Sequence, residues 1–276
     1  MIELPEAYTL AHQMRKDLVG RRVATVAAGA APHKFAWYHG DPAGYAPLLE
    51  GDTVVTAAAH GGMVEVHMQH AMLLFHDGVN LRLHPAAGPI PAKHQLLLTF
   101  DDGSALSASV QMYGGLYAWD RDETLDNPYY RTALEKPSPL DPEQFTQDYF
   151  MQLLAVPDVQ KLSAKAALAT EQRIPGLGNG VLQDILWKAR LSPRRKISSL
   201  TVEETQALYV SLMSTLAEMS RLRGRDTEKD LYGIPGGYRT VMSAKNAGAP
   251  CPSCGRAIVK EAYMGGSVYT CPQCQH

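Results

Sequence analysis

The sequence predicts an α+β fold in two domains, and three observations predict it. Short β-prone runs separated by glycine pairs fill residues 23–119, helical periodicity takes over after residue 142, and all four cysteines fall in the last 26 residues of 276. A first helix precedes the strands. Pro5 suits a first turn, Ala7, Leu10, Ala11, Met14 and Leu18 recur at steps of three and four, and Gly20 can end the helix. The β-prone runs are Val23–Ala28, Phe35–Tyr38, Thr53–Ala59, Met63–Met68, Ala71–His76, Val79–Leu83, Gln95–Phe100, Ala105–Gln111 and Leu116–Trp119. Gly-Gly or Asp-Gly pairs at 61–62, 77–78, 102–103 and 114–115 read as hairpin turns, so an antiparallel β-sandwich or open barrel is expected.

Residues 121–142 read as a hinge linker, since Pro128, Pro137, Pro139 and Pro142 forbid a long helix. Helices are expected over 142–154, 158–169, 179–189 and about 202–223, the last opening on the capping-box spacing Thr201-x-x-Glu204. Gly224, Gly233, Pro235, Gly236 and Gly237 then predict a mobile loop. The expected domains are 1–120, sheet with leading helix; 143–246, helical; and 247–276, a ribbon.

The ribbon follows from Cys251-x-x-Cys254, sixteen residues and Cys271-x-x-Cys274. Two C-x-x-C turns brought together by a hairpin make a tetrahedral thiolate site, so one structural Zn2+ is expected on Cys251, Cys254, Cys271 and Cys274. Two disulfides are the competing reading. They belong to small secreted chains, and the N-terminus here lacks both a basic start and an apolar run, which predicts a reducing, cytoplasmic setting.

No stretch approaches the roughly 18 consecutive apolar residues of a spanning helix. The net charge of −2 hides a split: residues 1–150 carry 10 Lys/Arg against 18 Asp/Glu, and residues 151–276 carry 16 against 10. A basic half that holds a ribbon suits an anionic partner such as nucleic acid, and a surface of solvated lysines gives the same sum.

Three separated segments share a pattern: Ile2-Glu3-Leu4-Pro5-Glu6, then Pro175-Gly176-Leu177-Gly178-Asn179-Gly180 opening a helix, and the terminal ribbon ending Cys271-Pro-Gln-Cys274-Gln275. Together and in this order they resemble the formamidopyrimidine-DNA glycosylase/endonuclease VIII family of base-excision repair enzymes. The resemblance spans the chain and implies an N-terminal helix, a β-sandwich, a helical domain with a helix-two-turn-helix motif, and a zinc finger. It implies as partner duplex DNA carrying a lesion or abasic site, bound by a nucleoid-associated monomer.

The helix start at Asn179 offers unpaired N–H groups and a positive dipole end to a phosphate on its own physics. The resemblance assigns Lys165, Gly178 and Asn179 to the DNA backbone and makes the ribbon a second clamp through Arg256 and Lys260. Arg190, Arg194, Arg195 and Lys196 would extend the phosphate track.

Catalysis in that family uses an N-terminal proline exposed by methionine removal, whose amine attacks C1′ of the flipped nucleotide, with a neighbouring Glu handling protons. Glu3 matches that Glu and Glu6 a second acid near the base pocket, but Ile2 stands in the proline's place. A retained Met1 would put the free amine one residue, about 3.8 Å, from its usual position. Three outcomes follow: the Met1 amine reaches C1′ by another path, Glu3 activates water, or no chemistry remains and the chain is a DNA-structure binding protein. The plain structural role for Glu3 and Glu6 is charge at a helix N-terminus.

Further family contacts are missing. Gly62 falls where a β-strand Lys is usual, Gly266 where the ribbon carries Arg, and Gln111-Met112-Tyr113 replaces the void-filling stretch, leaving Tyr113 as the wedge without its arginine. His60, His67, His70, His76 and His84 show no metal-binding spacing and receive no role. Met63, Met68, Met72 and Met112 read as core filling.

Overall fold

The computed structural model describes residues 1–276. The leading helix, α1 (Leu4–Asp17), starts from an extended Glu3 with proline in its first turn and buries Ala7, Leu10, Ala11 and Met14. A sheet follows: β1 (Val23–Ala28), β2 (Ala36–Tyr38), a short α2 (Tyr45–Leu49), β3 (Val54–His60), β4 (Met63–Met68), β5 (Ala71–His84), β6 (Leu96–Phe100) and β7 (Ala105–Asp120). Its order is β1-β6-β7-β5-β4-β3, antiparallel throughout, with β2 added parallel to β7. The layer beneath is α1, packed on β3 and β4.

Two expected hairpin turns are not turns. Asp77-Gly78 and Gly114-Gly115 lie inside the long strands β5 and β7, where Asp77 pairs with Gly114 and the register slips between Asp77 and Val79. The paired ribbon bends here as a unit. Asp77 takes a positive φ of 58°, and a Cβ on Gly78 would meet the Tyr113 carbonyl oxygen at 2.5 Å, so the glycines permit a bulge rather than a reversal.

The linker contains a helix, α3 (Pro128–Glu135), which the prolines did not suggest. Pro128 sits in its first turn, where a missing N–H costs nothing, and the Asn127 side chain caps Tyr129 and Tyr130. Met63, Met72, Leu74, Trp119, Leu125, Tyr130 and Ala133 join it to the sheet.

The second core gathers α4 (Gln147–Ala155), α5 (Pro157–Gln160), α6 (Ala164–Ala169), α7 (Asn179–Lys188) and α8 (Val202–Arg221) around Phe145, Phe150, Ile185, Leu212 and Leu216. The single helix expected over 158–169 is two, because the Ser163 side chain caps Ala166 and starts a new one. At Thr201 the capping box forms with Glu204. The ribbon is a hairpin of β8 (Val259–Tyr263) and β9 (Gly266–Thr270).

The segment after α8, expected to be mobile, is strapped to α1. Leu231 N–H donates to Gln13, Gln13 donates to Asp230, and Arg82 donates to the Asp230 carbonyl. Leu231 itself is buried in the sheet's core. No helix is long and apolar enough to cross a membrane.

Candidate nucleic-acid interface and active site

A cleft of about 540 Å³ opens where the sheet, the helical core and the ribbon tip meet. Its sheet wall carries Gly62, His76, Asp77, Met112 and Tyr113, its opposite wall Lys165, Gly178, Asn179 and Met264–Gly266, and its floor Met1, Ile2 and Glu3. The walls touch through backbone. A Cβ at Gly176, whose φ is +78°, would run into the Gly61 carbonyl carbon and the Gly62 nitrogen.

The N-terminal strand is threaded between these walls. Ile2 N–H donates to the Asp77 carbonyl (2.6 Å), so the bulge in β5 supplies its acceptor, and Leu4 N–H donates to the Gly176 carbonyl (2.9 Å). Gly62 lies against this strand, 3.1 Å from the Ile2 carbonyl oxygen measured from where its Cβ would be. The Met1 ammonium pairs with Glu228 at 2.6 Å.

Glu3 is 4% exposed. Its carboxylate accepts Gly180 N–H (2.9 Å) and Val181 N–H (2.7 Å) from the first turn of α7, where the helix dipole favours negative charge. Its pKa is raised: burial pushes it up and the like charge of Glu6 adds to that, and the Arg225 guanidinium and the two N–H groups pull it back only in part. Glu6, one turn on, lies away from the cleft. It takes the backbone N–H and side-chain Nε of Arg225 at 3.0 Å and its Nη2 at 2.8 Å, and the void beside the pair is only about 10 Å³. That geometry gives Glu6 a structural ion pair and no base pocket, against the expectation from its motif position.

Lys165 and Asn179 do converge on the cleft, and both reach the ribbon. Lys165 Nζ donates to the Tyr263 carbonyl (2.7 Å) and Asn179 Nδ2 to the Ser267 carbonyl (3.0 Å), while burial lowers the Lys165 pKa. A Cβ on Gly266 would stand in ordinary contact, 3.7 Å from Lys165 Nζ and 3.8 Å from Asn179 Nδ2, so an arginine there would start beside both side chains. Arg256 and Lys260 are exposed nearer the cysteine end of the hairpin and do not line the cleft. Arg194 stacks on Tyr263, and Arg195 is bound to Glu204 and Ser199, which leaves Arg190 and Lys196 as the free cations of that run.

Met112 is 65% exposed, contrary to the core role expected of it, whereas Met63, Met68 and Met72 are buried. It stands at the β7 bend beside Tyr113, which packs on Trp37 at 5.8 Å between centroids; Gln111 is exposed and outside the cleft. Sequence reasoning missed Arg225, Glu228 and His76. His76 lines the cleft with Nδ1 on Asp77 (2.9 Å), and only its pairing with the strand bend, invisible as a motif, would have flagged it.

The four cysteine sulfurs lie within 4.8 Å of one another. Cys254–Cys271 at 3.4 Å and Cys251–Cys274 at 3.9 Å are far beyond a disulfide bond and bracket the roughly 3.8 Å edge of a tetrahedron with 2.3 Å metal–sulfur bonds. A metal ion fits these ligands.

Two walls, a buried acid at a helix N-terminus between them and a ribbon with a four-cysteine site make a cleft of the kind a DNA-binding enzyme uses. Residues 1–138 match the formamidopyrimidine-DNA glycosylase N-terminal domain. The whole chain is 31% identical to the formamidopyrimidine-DNA glycosylase of Symbiobacterium thermophilum, covering 89% of it, and 30% identical to that of Thermus thermophilus, covering 98%. Among solved structures, the MutM (Fpg) protein of Thermus thermophilus superposes with a TM-score of 0.80 at 26% identity, over 99% of this chain and 98% of that one. Lactococcus lactis Fpg in complex with abasic-site DNA shares the fold at 23% identity, TM-score 0.82, over 99% of both chains. The chain belongs to the formamidopyrimidine-DNA glycosylase family.

Proposed function

We propose that this chain is a DNA glycosylase of base-excision repair that binds lesion-bearing duplex DNA and releases the damaged base with water activated by Glu3. The observation that carries the reading is Glu3 itself, held by two N–H groups on the cleft floor. With Met1 retained, the Ile2 nitrogen is a peptide nitrogen whose lone pair is delocalised into the Met1 carbonyl and whose hydrogen is given to Asp77, so it is no nucleophile. In the water route, oxygen attacks C1′, the electron pair of the C1′–N bond leaves with the base, and the water proton passes to Glu3 and then to the departing base. Lys165 and Asn179 hold phosphates, Met112 and Tyr113 fill the gap left in the stack, and Zn2+ on the four cysteines keeps the ribbon folded without entering the reaction. Residues 1–120 and 143–246 are the jaws, 121–142 the hinge and 247–276 the ribbon clamp.

A second route is favoured by one observation. The Met1 ammonium lies at the cleft beside Glu228; on losing its proton its nitrogen would attack C1′ as the C1′–N bond breaks and the base leaves, the sugar ring would open to a Schiff base, and loss of the C2′ proton would expel the 3′-phosphate and cut the strand. Borohydride trapping on abasic-site and oxidised-base duplexes, beside a base-release assay, separates the routes: base release without a trapped complex supports water, and a trapped complex the amine. Glu3→Gln should slow base release about 10²–10⁴-fold. Unchanged release would remove Glu3 from the mechanism, and binding with neither reaction would leave a damage-binding protein.

A further inference from the structure

The loop after α8 sends one fully buried cation beneath the cleft floor. Arg225 is 3% exposed, and its Nη1 lies 3.4 Å from Glu3 Oε2 while Nε and Nη2 grip Glu6. Its backbone N–H also donates to Glu6, so three hydrogen bonds to one carboxylate hold Arg225 before Glu3 is considered. Glu3 is then caught between a cation and the first turn of α7.

We propose that Arg225 is a positioning residue for Glu3, anchored by Glu6 so that its guanidinium holds the Glu3 carboxylate in place, ionised and ready to accept a proton. The inference rests on the water route. An unpaired carboxylate this buried would take up a proton and could only donate it, which is the wrong state for activating water. Glu6, which has no cleft to serve, thereby acquires a purpose: it orients the arginine. The other charged or titratable groups that face Glu3 or share its cleft are the Met1 ammonium with Glu228, Asp77 with His76, and Lys165 and Tyr113 from the two walls. None of them touches the Glu3 carboxylate through a hydrogen bond or ion pair, which leaves Arg225 as its one ion-pair partner, set against burial and the like charge of Glu6, both of which favour the proton.

The test is the pH profile of single-turnover base release by Arg225→Lys and Arg225→Met, on the duplex for which Glu3→Gln abolishes release in the same protein. Both variants should move the acid limb to higher pH: for a shift of about one unit, the rate on the limb falls about tenfold at a given pH and recovers toward wild type on the plateau above it. Lysine should shift it less than methionine, and DNA affinity should stay the same. A uniform loss at every pH in a folded variant would make Arg225 merely structural and overturn the proposal. Should methionine prevent folding, the wild-type protein still decides: carboxyl carbon NMR of Glu3, assigned by Glu3→Gln, should show it ionised at pH 7, and a protonated signal would overturn the proposal. Failure of Glu3→Gln to affect release would instead sink the water route itself.

Discussion

The two walls of the cleft are built differently. The sheet wall is carried by the β5–β7 ladder over a core that runs from α1 to β1: His76 and Asp77 pair with Gly115 and Gly114, and Met112 and Tyr113 stand in the register slip beside them. The ribbon wall is assembled from α6, α7 and a hairpin, joined by side-chain bonds to carbonyls and by a tetrathiolate cluster. The difference teaches where each wall's precision comes from. His76 and Asp77 of the sheet wall are fixed by pairing, whereas Lys165 and Asn179 bond to carbonyls of the hairpin and are held only while it stays folded over them.

Metal removal should expose this asymmetry most. Structural zinc in small ribbons contributes on the order of 10 kcal/mol to their folding, and from residue 251 onward only Cys251, Ile258, Val268, Cys271 and Gln275 are buried. Chelation should therefore release amide protection across 251–274 and free Lys165 and Asn179, while the β5 and β7 amides keep theirs in hydrogen exchange. DNA affinity should fall with it. Equal loss of protection in both walls would show that they are one cooperative unit.

The point where the walls touch comes next. Alanine at Gly176 would hold a left-handed φ at about 1–2 kcal/mol and press its Cβ into the backbone of Gly61 and Gly62. A total loss of about 3 kcal/mol or more is expected, read as a lower thermal midpoint, with base release impaired because Leu4 N–H bonds to the Gly176 carbonyl beneath Glu3. Alanine at Gly265, equally left-handed but in open space, should pay only the conformational cost.

Acid should part the walls in a defined order. Asp52 sits at the corner of β3, β4 and β5; burial opposes its ionisation, but N–H groups of His70, Thr53 and Ala71 and the His70 ring outweigh it, so its pKa is lowered. A carboxyl lowered on folding contributes stability that is full above its unfolded value of about 3.9 and is lost as pH falls through the folded value. The thiolates of the ribbon compete with protons at higher pH, since metal binding requires them deprotonated. Titration from pH 7 to 3 should thus release metal first and loosen the β3–β5 corner last, and Asp52→Asn should abolish only the second step.

The same contrast governs how much was legible in the sequence. Cys251, Cys254, Cys271 and Cys274 declared their purpose by spacing, and Thr201 and Glu204 by the cap they form, because both signals are local. Glu3, Lys165 and Asn179 were readable through motif resemblance, and the cleft does gather them. Arg225 and Glu228 were not, since their partners lie more than 200 residues away and nothing nearby marks them. The Asp77-Gly78 and Gly114-Gly115 pairs misled for a physical reason: a bulge and a hairpin both call for left-handed or glycine backbone, and only the pairing partner tells them apart.

The smallest expected effect asks whether Asn179 belongs to the protein or to the DNA. Its Nδ2 bond to the Ser267 carbonyl is half-buried, so Asn179→Ala should cost only about 1 kcal/mol of stability. Gln183 donates to the same carbonyl and keeps β9 in place without it. If Asn179 grips phosphate, the variant should weaken DNA binding by a common factor for damaged and undamaged sequences, because a phosphate contact carries no base information. If its work is only to seat the ribbon, binding should follow the modest stability loss and vanish as an effect at temperatures where the hairpin is fully folded. A melting curve and a binding isotherm on one variant therefore decide which side of the interface this side chain serves.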